Sequence, residues 1–420
     1  MAVHNKHTYS LKISKFIHSK NSLFYLFIFL IGLSIGFFCA FYLENFSSII
    51  QTSIYSVLHA LSPSPILVTS SLPPPDSSSP SPSLLTLSPP PRPSPPNEQI
   101  PLMHNMSDED LIKNAMRIAT MSVPNTTPYK VAFMFLTTGP IPLSPLWELF
   151  FKGHESLLSI YIHPHPSYND TFPKDSIFYG RRITSQPVYW GDISMVDAER
   201  RLLANALLDA SNQRFVLLSE SCIPLFNFTT TYNYLINSNL SYINSLDDAR
   251  KIGRGRYNPQ MAPHITIQDW RKGAQWFEVN RDLALGIISD RKYYNLFKEY
   301  CHKPCYNDEH YLSTLVNILY PEMNSNRTIT YVNWSTSGPH PRKFVKNDIT
   351  EEFLSSVRFG STECIYNNNM TPMCFLFARK FAPNTLMPLV IICPYVYGCQ
   401  YLSFNVLFFF LVPIMRLIDV

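Results

Sequence analysis

The side chains of this 420-residue chain that could do chemistry fall in a few short runs. Asp108-Glu109-Asp110 is the one D-x-D triplet, a pattern able to hold a divalent cation against a diphosphate. It also follows Ser107 at the start of a helical pattern, where acids suit the helix dipole, so it is read as a first helical turn and no metal ligand is assigned. Ser219-Glu220-Ser221-Cys222 sets a carboxylate and two hydroxyls after an apolar run, which fits the rim of a ligand site and an ordinary turn equally well. His163 closes another apolar run and is just as open. Asp308 and Glu309 read on their own as acids of a helix start, and Arg379-Lys380 as a solvated basic pair. Cys301 with Cys305 and Cys364 with Cys374 are close enough in sequence to form disulfides in an oxidising compartment. The first pair lacks the matching second pair that zinc would need.

The elements that must position these groups alternate. Val131–Leu136, Leu158–His163 and Arg214–Ser219 are apolar runs of the length of buried parallel strands. Between them lie an aromatic-rich helical stretch ending near Lys152, and a helix opened by Ser194 and Asp197 with Leu203, Ala206, Leu207 and Ala210 on one face. Strand, helix, strand at this spacing predicts a doubly wound α/β sheet, whose ligands bind at the carboxyl ends of strands. Ser219-Glu220-Ser221 and His163 stand at such ends.

The rest of the chain predicts where that domain works. Leu23–Leu43 carries no charge over 21 residues, enough for a transmembrane helix, and Lys6, Lys12, Lys15 and Lys20 precede it. The positive side stays in the cytoplasm, so everything beyond is expected in a lumen or outside the cell. From Pro63 to Pro101, 14 of 39 residues are proline with only Asp76, Arg92 and Glu98 charged, which reads as an extended stem. The expected organisation is a tail over 1–22, an anchor over 23–43, a stem over 44–128, a catalytic domain over 129–398 and an atypical hydrophobic extension over 399–420. That extension reads as an artefact of the gene model rather than a membrane-associated tail. Sequons at Asn45, Asn105, Asn125, Asn169, Asn227, Asn239, Asn326, Asn333 and Asn369 all lie on the luminal side. With 34 basic against 30 acidic residues and no basic run, nucleic acid is not an expected partner.

Six segments carry a resemblance. LSESCIPL from Leu218, GRGRYNP from Gly253, WRKGAQWFEVNR from Trp270, CYNDEHY from Cys305, DITEEF from Asp348 and CFLFARKFAP from Cys374 occur in order across Lys130–Pro394. Together they resemble plant members of the core-2/I-branching β-1,6-N-acetylglucosaminyltransferase family, glycosyltransferase family 14. The resemblance implies a Golgi type II membrane protein with a GT-A-like fold, a Rossmann-like mixed sheet. It also implies inverting transfer of a sugar from a UDP-sugar to a glycan or glycoprotein acceptor.

By residue, the resemblance carries the general base to Glu309 and the cation on the donor diphosphate to Lys380, with Arg379 beside it. No metal cofactor is expected, since the core lacks a D-x-D. Glu220, Arg254, Trp276 and Glu278 stand in matched motifs and are the acceptor candidates, an aromatic face and carboxylates being suited to a sugar. Two departures stand out. The arginine that animal relatives carry between the cysteines matching Cys364 and Cys374 is absent, and the chain runs on past the Pro394–Gly398 segment where relatives end. The rival reading is a stalked, lectin-like glycan binder without turnover.

Overall fold

The structure, a computed structural model, describes residues 102–119, 127–336, 338–360 and 363–397. The predicted tail, anchor, most of the stem, Asn45, Asn125 and the 399–420 extension lie outside the described residues. Among the described residues no helix is long and apolar enough to cross a membrane.

Helix α1 (Asp108–Ala119) begins with the acidic triplet. Asp110 accepts a hydrogen bond from the Ser107 hydroxyl at 2.6 Å, and Asp108 pairs with Arg201, so both acids are structural. Strand β1 (Lys130–Leu136), helix α2 (Ser144–Phe151), β2 (Leu158–His163), α3 (Ile193–Leu207) and β3 (Asn212–Ser219) then follow in the predicted alternation. The start and end of α3 differ from expectation. Asp192 caps it, accepting from the Ser194 amide at 2.9 Å, and it ends before Ala210.

β1 pairs in parallel with both β2 and β3. Its side chains alternate between two cores. Ala132, Met134 and Leu136 face Val196, Leu203 and Leu207 of α3, while Val131, Phe133 and Phe135 face Trp147 and Phe151 of α2. A sheet covered on both faces explains why β1 is apolar throughout rather than alternating.

The chain continues through β4 (Cys222–Pro224), α4 (Phe228–Ile236), β5 (Glu278–Asn280), α5 (Arg281–Ser289), α6 (Lys292–Tyr300) and α7 (Asn307–Leu319). It then forms β6 (Thr330–Val332), α8 (Glu351–Arg358), β7 (Cys364–Tyr366), β8 (Asn369–Thr371), β9 (Phe377–Arg379) and α9 (Leu386–Tyr397). The main sheet has the order β2-β1-β3-β5, with β5 antiparallel to β3. The fold is therefore a mixed sheet rather than a wholly parallel one. A second sheet, β4-β9-β6, carries Arg379 on its middle strand.

Both predicted disulfide pairs are bonded, Cys301–Cys305 and Cys364–Cys374. The first closes the loop leading into α7, and the second closes the β7–β8 hairpin before β9. Of the sequons, Asn105, Asn169, Asn227, Asn239, Asn326 and Asn369 are exposed and Asn333 is partly so. The Asn227 side chain also caps α4, accepting from the Thr230 amide at 2.8 Å.

Candidate active site

A cleft of about 820 Å³ opens at the carboxyl ends of the sheet strands. Leu136 and Thr137 follow β1 into it, and Ser219 and Glu220 reach it from β3. The turn after β3 is therefore part of the site's wall, as the strand-end rule predicts. His163 is not. It is fully buried, with its Nε2 3.0 Å from Arg201, and burial followed by that guanidinium pushes its pKa down to about 4.

Glu309 enters the cleft from the first turn of α7. That turn is placed by its neighbours: the Asn307 amide donates to the Gly191 carbonyl at 3.1 Å, and the Gly273 amide donates to the Glu309 carbonyl at 2.8 Å. Two glycines allow these approaches. A Cβ at Gly273 would lie 1.8 Å from the Asn244 carbonyl oxygen, and one at Gly191, whose φ is +74°, would lie 2.1 Å from the Tyr306 ring.

The Glu309 carboxylate is held by two cations, both on Oε2: Arg256 at 2.6 Å and Lys272 at 2.7 Å. Burial works to raise its pKa, but Lys272 and Arg256 together hold it below the ordinary carboxylate value. Glu309 is thus ionised at neutral pH, with Oε1 outside these two ion pairs. Asp308 beside it has the opposite environment. Burial and then the Glu309 charge push it up to about 6, and its Oδ1 is buried without a hydrogen-bond partner.

Arg379 and Lys380 line the same cleft, at and just beyond the end of β9. Burial lowers the pKa of each, and repulsion from Arg379 adds to the effect at Lys380. Arg379 remains a cation, as guanidinium does in proteins. Its guanidinium carbon sits 4.0 Å from the centroid of the Trp276 ring.

The acceptor candidates divide. Glu220 and Trp276 line the cleft, although Trp276 is only 6% exposed. Glu278 does not, and is corrected: it is fully buried on β5, gripped by Arg214 at 2.7 and 2.8 Å, and belongs to the scaffold. Burial lifts its pKa to about 7 even against Arg214. Arg254 is corrected as well. It lies outside the cleft lining and is forked onto Asp247 at 2.5 and 2.7 Å on the surface.

The Glu309 partners that the sequence did not mark are Arg256 and Lys272. Each stands in a matched segment beside a residue that was chosen, but only folding brings them to Glu309. The aromatic wall was missed too. Trp190 and Trp334 are exposed by 49% and 58%, and Trp190 packs in a tilted arrangement on Tyr306 with ring centroids 4.8 Å apart; the Tyr306 ring in turn lies 4.4 Å from Arg256. No group of three or more His, Cys, Asp and Glu able to hold a metal occurs among the described residues.

A carboxylate, two cations and aromatic walls in one cleft suit sugar transfer from an anionic leaving group. Residues 131–358 match the family profile described as Branch, Core-2/I-Branching enzyme. The chain belongs to the core-2/I-branching enzyme family. It is also 34% identical to Glycosyltransferase BC10 of Oryza sativa subsp. japonica over 298 residues, a match covering 60% of this chain and 73% of that protein. As a core-2/I-branching enzyme it is a glycosyltransferase, with a sugar donor and an acceptor as substrates.

Proposed function

We propose that this glycosyltransferase works with inversion, moving a sugar from a UDP-sugar to a hydroxyl of a glycan or glycoprotein in the Golgi lumen. N-acetylglucosamine is the donor sugar that the family's name suggests. The observation that carries the reading is the convergence of Glu309, Arg379 and Lys380 in one cleft. The acceptor oxygen attacks the anomeric carbon as the bond to the diphosphate breaks. The leaving UDP takes the electron pair, and Glu309 takes the hydroxyl proton. Charge growing on the diphosphate meets Arg379 and Lys380, fixed cations in the place a metal would otherwise fill. Glu220 and Trp334 on the cleft wall suit an acceptor sugar, by hydrogen bonds to hydroxyls and by stacking on its apolar face.

The mixed sheet with its cleft at the strand ends is consistent with a GT-A-like domain. The uncharged run over 23–43, the lysines before it and the stem support a type II anchor holding that domain in the lumen. The test is sugar release and transfer from a panel of UDP-sugars, with and without EDTA. Activity that survives the chelator is expected; full loss restored by manganese would sink the fixed-cation reading.

A further inference from the structure

We propose that Trp276 is a positioning residue for the donor: its indole face holds the Arg379 guanidinium in the orientation that meets the diphosphate. The inference rests on the reading that Arg379 binds the diphosphate, and it changes the role of Trp276 from sugar platform to cation platform.

The guanidinium carbon of Arg379 lies 4.0 Å from the Trp276 ring centroid, a close cation–π stack. That face of the indole is therefore taken, and with Trp276 only 6% exposed there is little left to offer a sugar. Arg379 in turn has no ion pair among the described residues, and its Nε has no hydrogen-bond partner. Besides the ring, the guanidinium meets the Cys222 thiol and the charge of Glu220, and no carboxylate among the described residues forks onto it, so donors remain for a ligand. Its planar fork then matches two oxygens of a diphosphate.

The platform itself is rigid. The Trp276 carbonyl accepts from the Thr328 hydroxyl at 3.0 Å, and the Phe277 carbonyl accepts from the Leu217 amide of β3 at 3.0 Å. On the other side, β9 holds the Arg379 backbone between Cys222 of β4 and Val332 of β6. A long side chain that would otherwise sample many rotamers is thus ordered before the donor arrives, which lowers the entropy lost on binding.

The experiment measures UDP binding by calorimetry on the full-length chain in detergent, for wild type, Trp276→Ala, Trp276→Phe, Arg379→Ala and the Trp276→Ala/Arg379→Ala double variant. Trp276→Ala is expected to weaken UDP by about 10-fold, within the range of a desolvated cation–π contact. Trp276→Phe should recover most of that loss, and in the Arg379→Ala background Trp276→Ala should add less than about 2-fold. In turnover, the donor KM should rise and kcat should fall, since a loosened Arg379 meets the growing diphosphate charge less well, while the acceptor KM holds. If Trp276→Ala does not fold, Trp276→Leu supplies similar bulk without a π face. The proposal is overturned if UDP affinity is unchanged in the alanine variant, if the loss persists without Arg379, or if the acceptor KM moves instead. A wild type that binds no UDP, or an Arg379→Ala variant that binds it normally, overturns the diphosphate reading itself and the proposal with it.

Discussion

Replacing Glu309 with Gln should separate catalysis from binding in this cleft. The substitution keeps the shape of the side chain and an oxygen acceptor toward Arg256 and Lys272, which now reach Oε2 at 2.6 and 2.7 Å. It removes the negative charge and the ability to take a proton. Loss of a positioned general base lowers the rate by about 10²- to 10⁴-fold, or about 2.7 to 5.4 kcal/mol of barrier. The structural cost is smaller. Both cations keep one neutral partner and partial access to solvent, with side chains 15% and 20% exposed, so a loss of about 1 to 3 kcal/mol of stability is expected. UDP affinity should hold, because Arg379 and Lys380 are untouched. The assay is transfer and donor hydrolysis under saturating donor, with thermal unfolding and UDP calorimetry alongside. A folded Glu309→Gln enzyme retaining more than about a fifth of wild-type kcat would refute the assignment of Glu309 as base.

Two further outcomes follow from the buried charges. Arg214→Met strands the fully buried Glu278 without its cation and should cost about 3 to 5 kcal/mol in urea unfolding, while Arg214→Met/Glu278→Leu recovers most of it; equal losses in both variants would contradict this. Asp308 titrates near 6 in the fold against 3.8 ordinarily, so the folded state holds its proton more tightly and loses stability as pH rises from about 4 to 6. Glu309, Glu199, Lys272 and Arg256 face this carboxyl, and solvent in the cleft screens it, so about 1 to 3 kcal/mol is expected. Asp308→Asn should remove that part of the pH dependence of Tm, and an unchanged profile would show that Asp308 is not its source.

The strand–helix alternation from Val131 to Ser219 was readable because each strand is buried on both faces, so a plain apolar run marks it. β5 was not readable: Glu278-Val279-Asn280 is three residues long, and the Glu278 charge is hidden only because Arg214, opposite Asn280 on β3, reaches diagonally to its carboxylate. The site divides in the same way. Glu309, Arg379 and Lys380 were singled out by the motifs that carry the family resemblance, and folding brings all three to one cleft. Arg254 was preferred over Arg256 because, in a Gly-Arg-Gly-Arg run, the sequence offers no means to tell which guanidinium turns inward.

Residue identity and local order thus determined the uncharged run read as an anchor, the proline-rich run read as a stem, the disulfide pairs, the alternating core and the presence of a candidate base and two candidate cations. These depend on composition and on contacts a few residues apart. Tertiary structure decided the pairings: Glu309 with Arg256 and Lys272, 53 and 37 residues away, Glu278 with Arg214, 64 away, and Arg379 with Trp276. The ionisation of Glu309, the burial of Glu278 against Arg214 and the seating of Arg379 on the Trp276 ring are set by burial and by which group lies within a few ångströms. Those distances exist only after the chain has closed on itself.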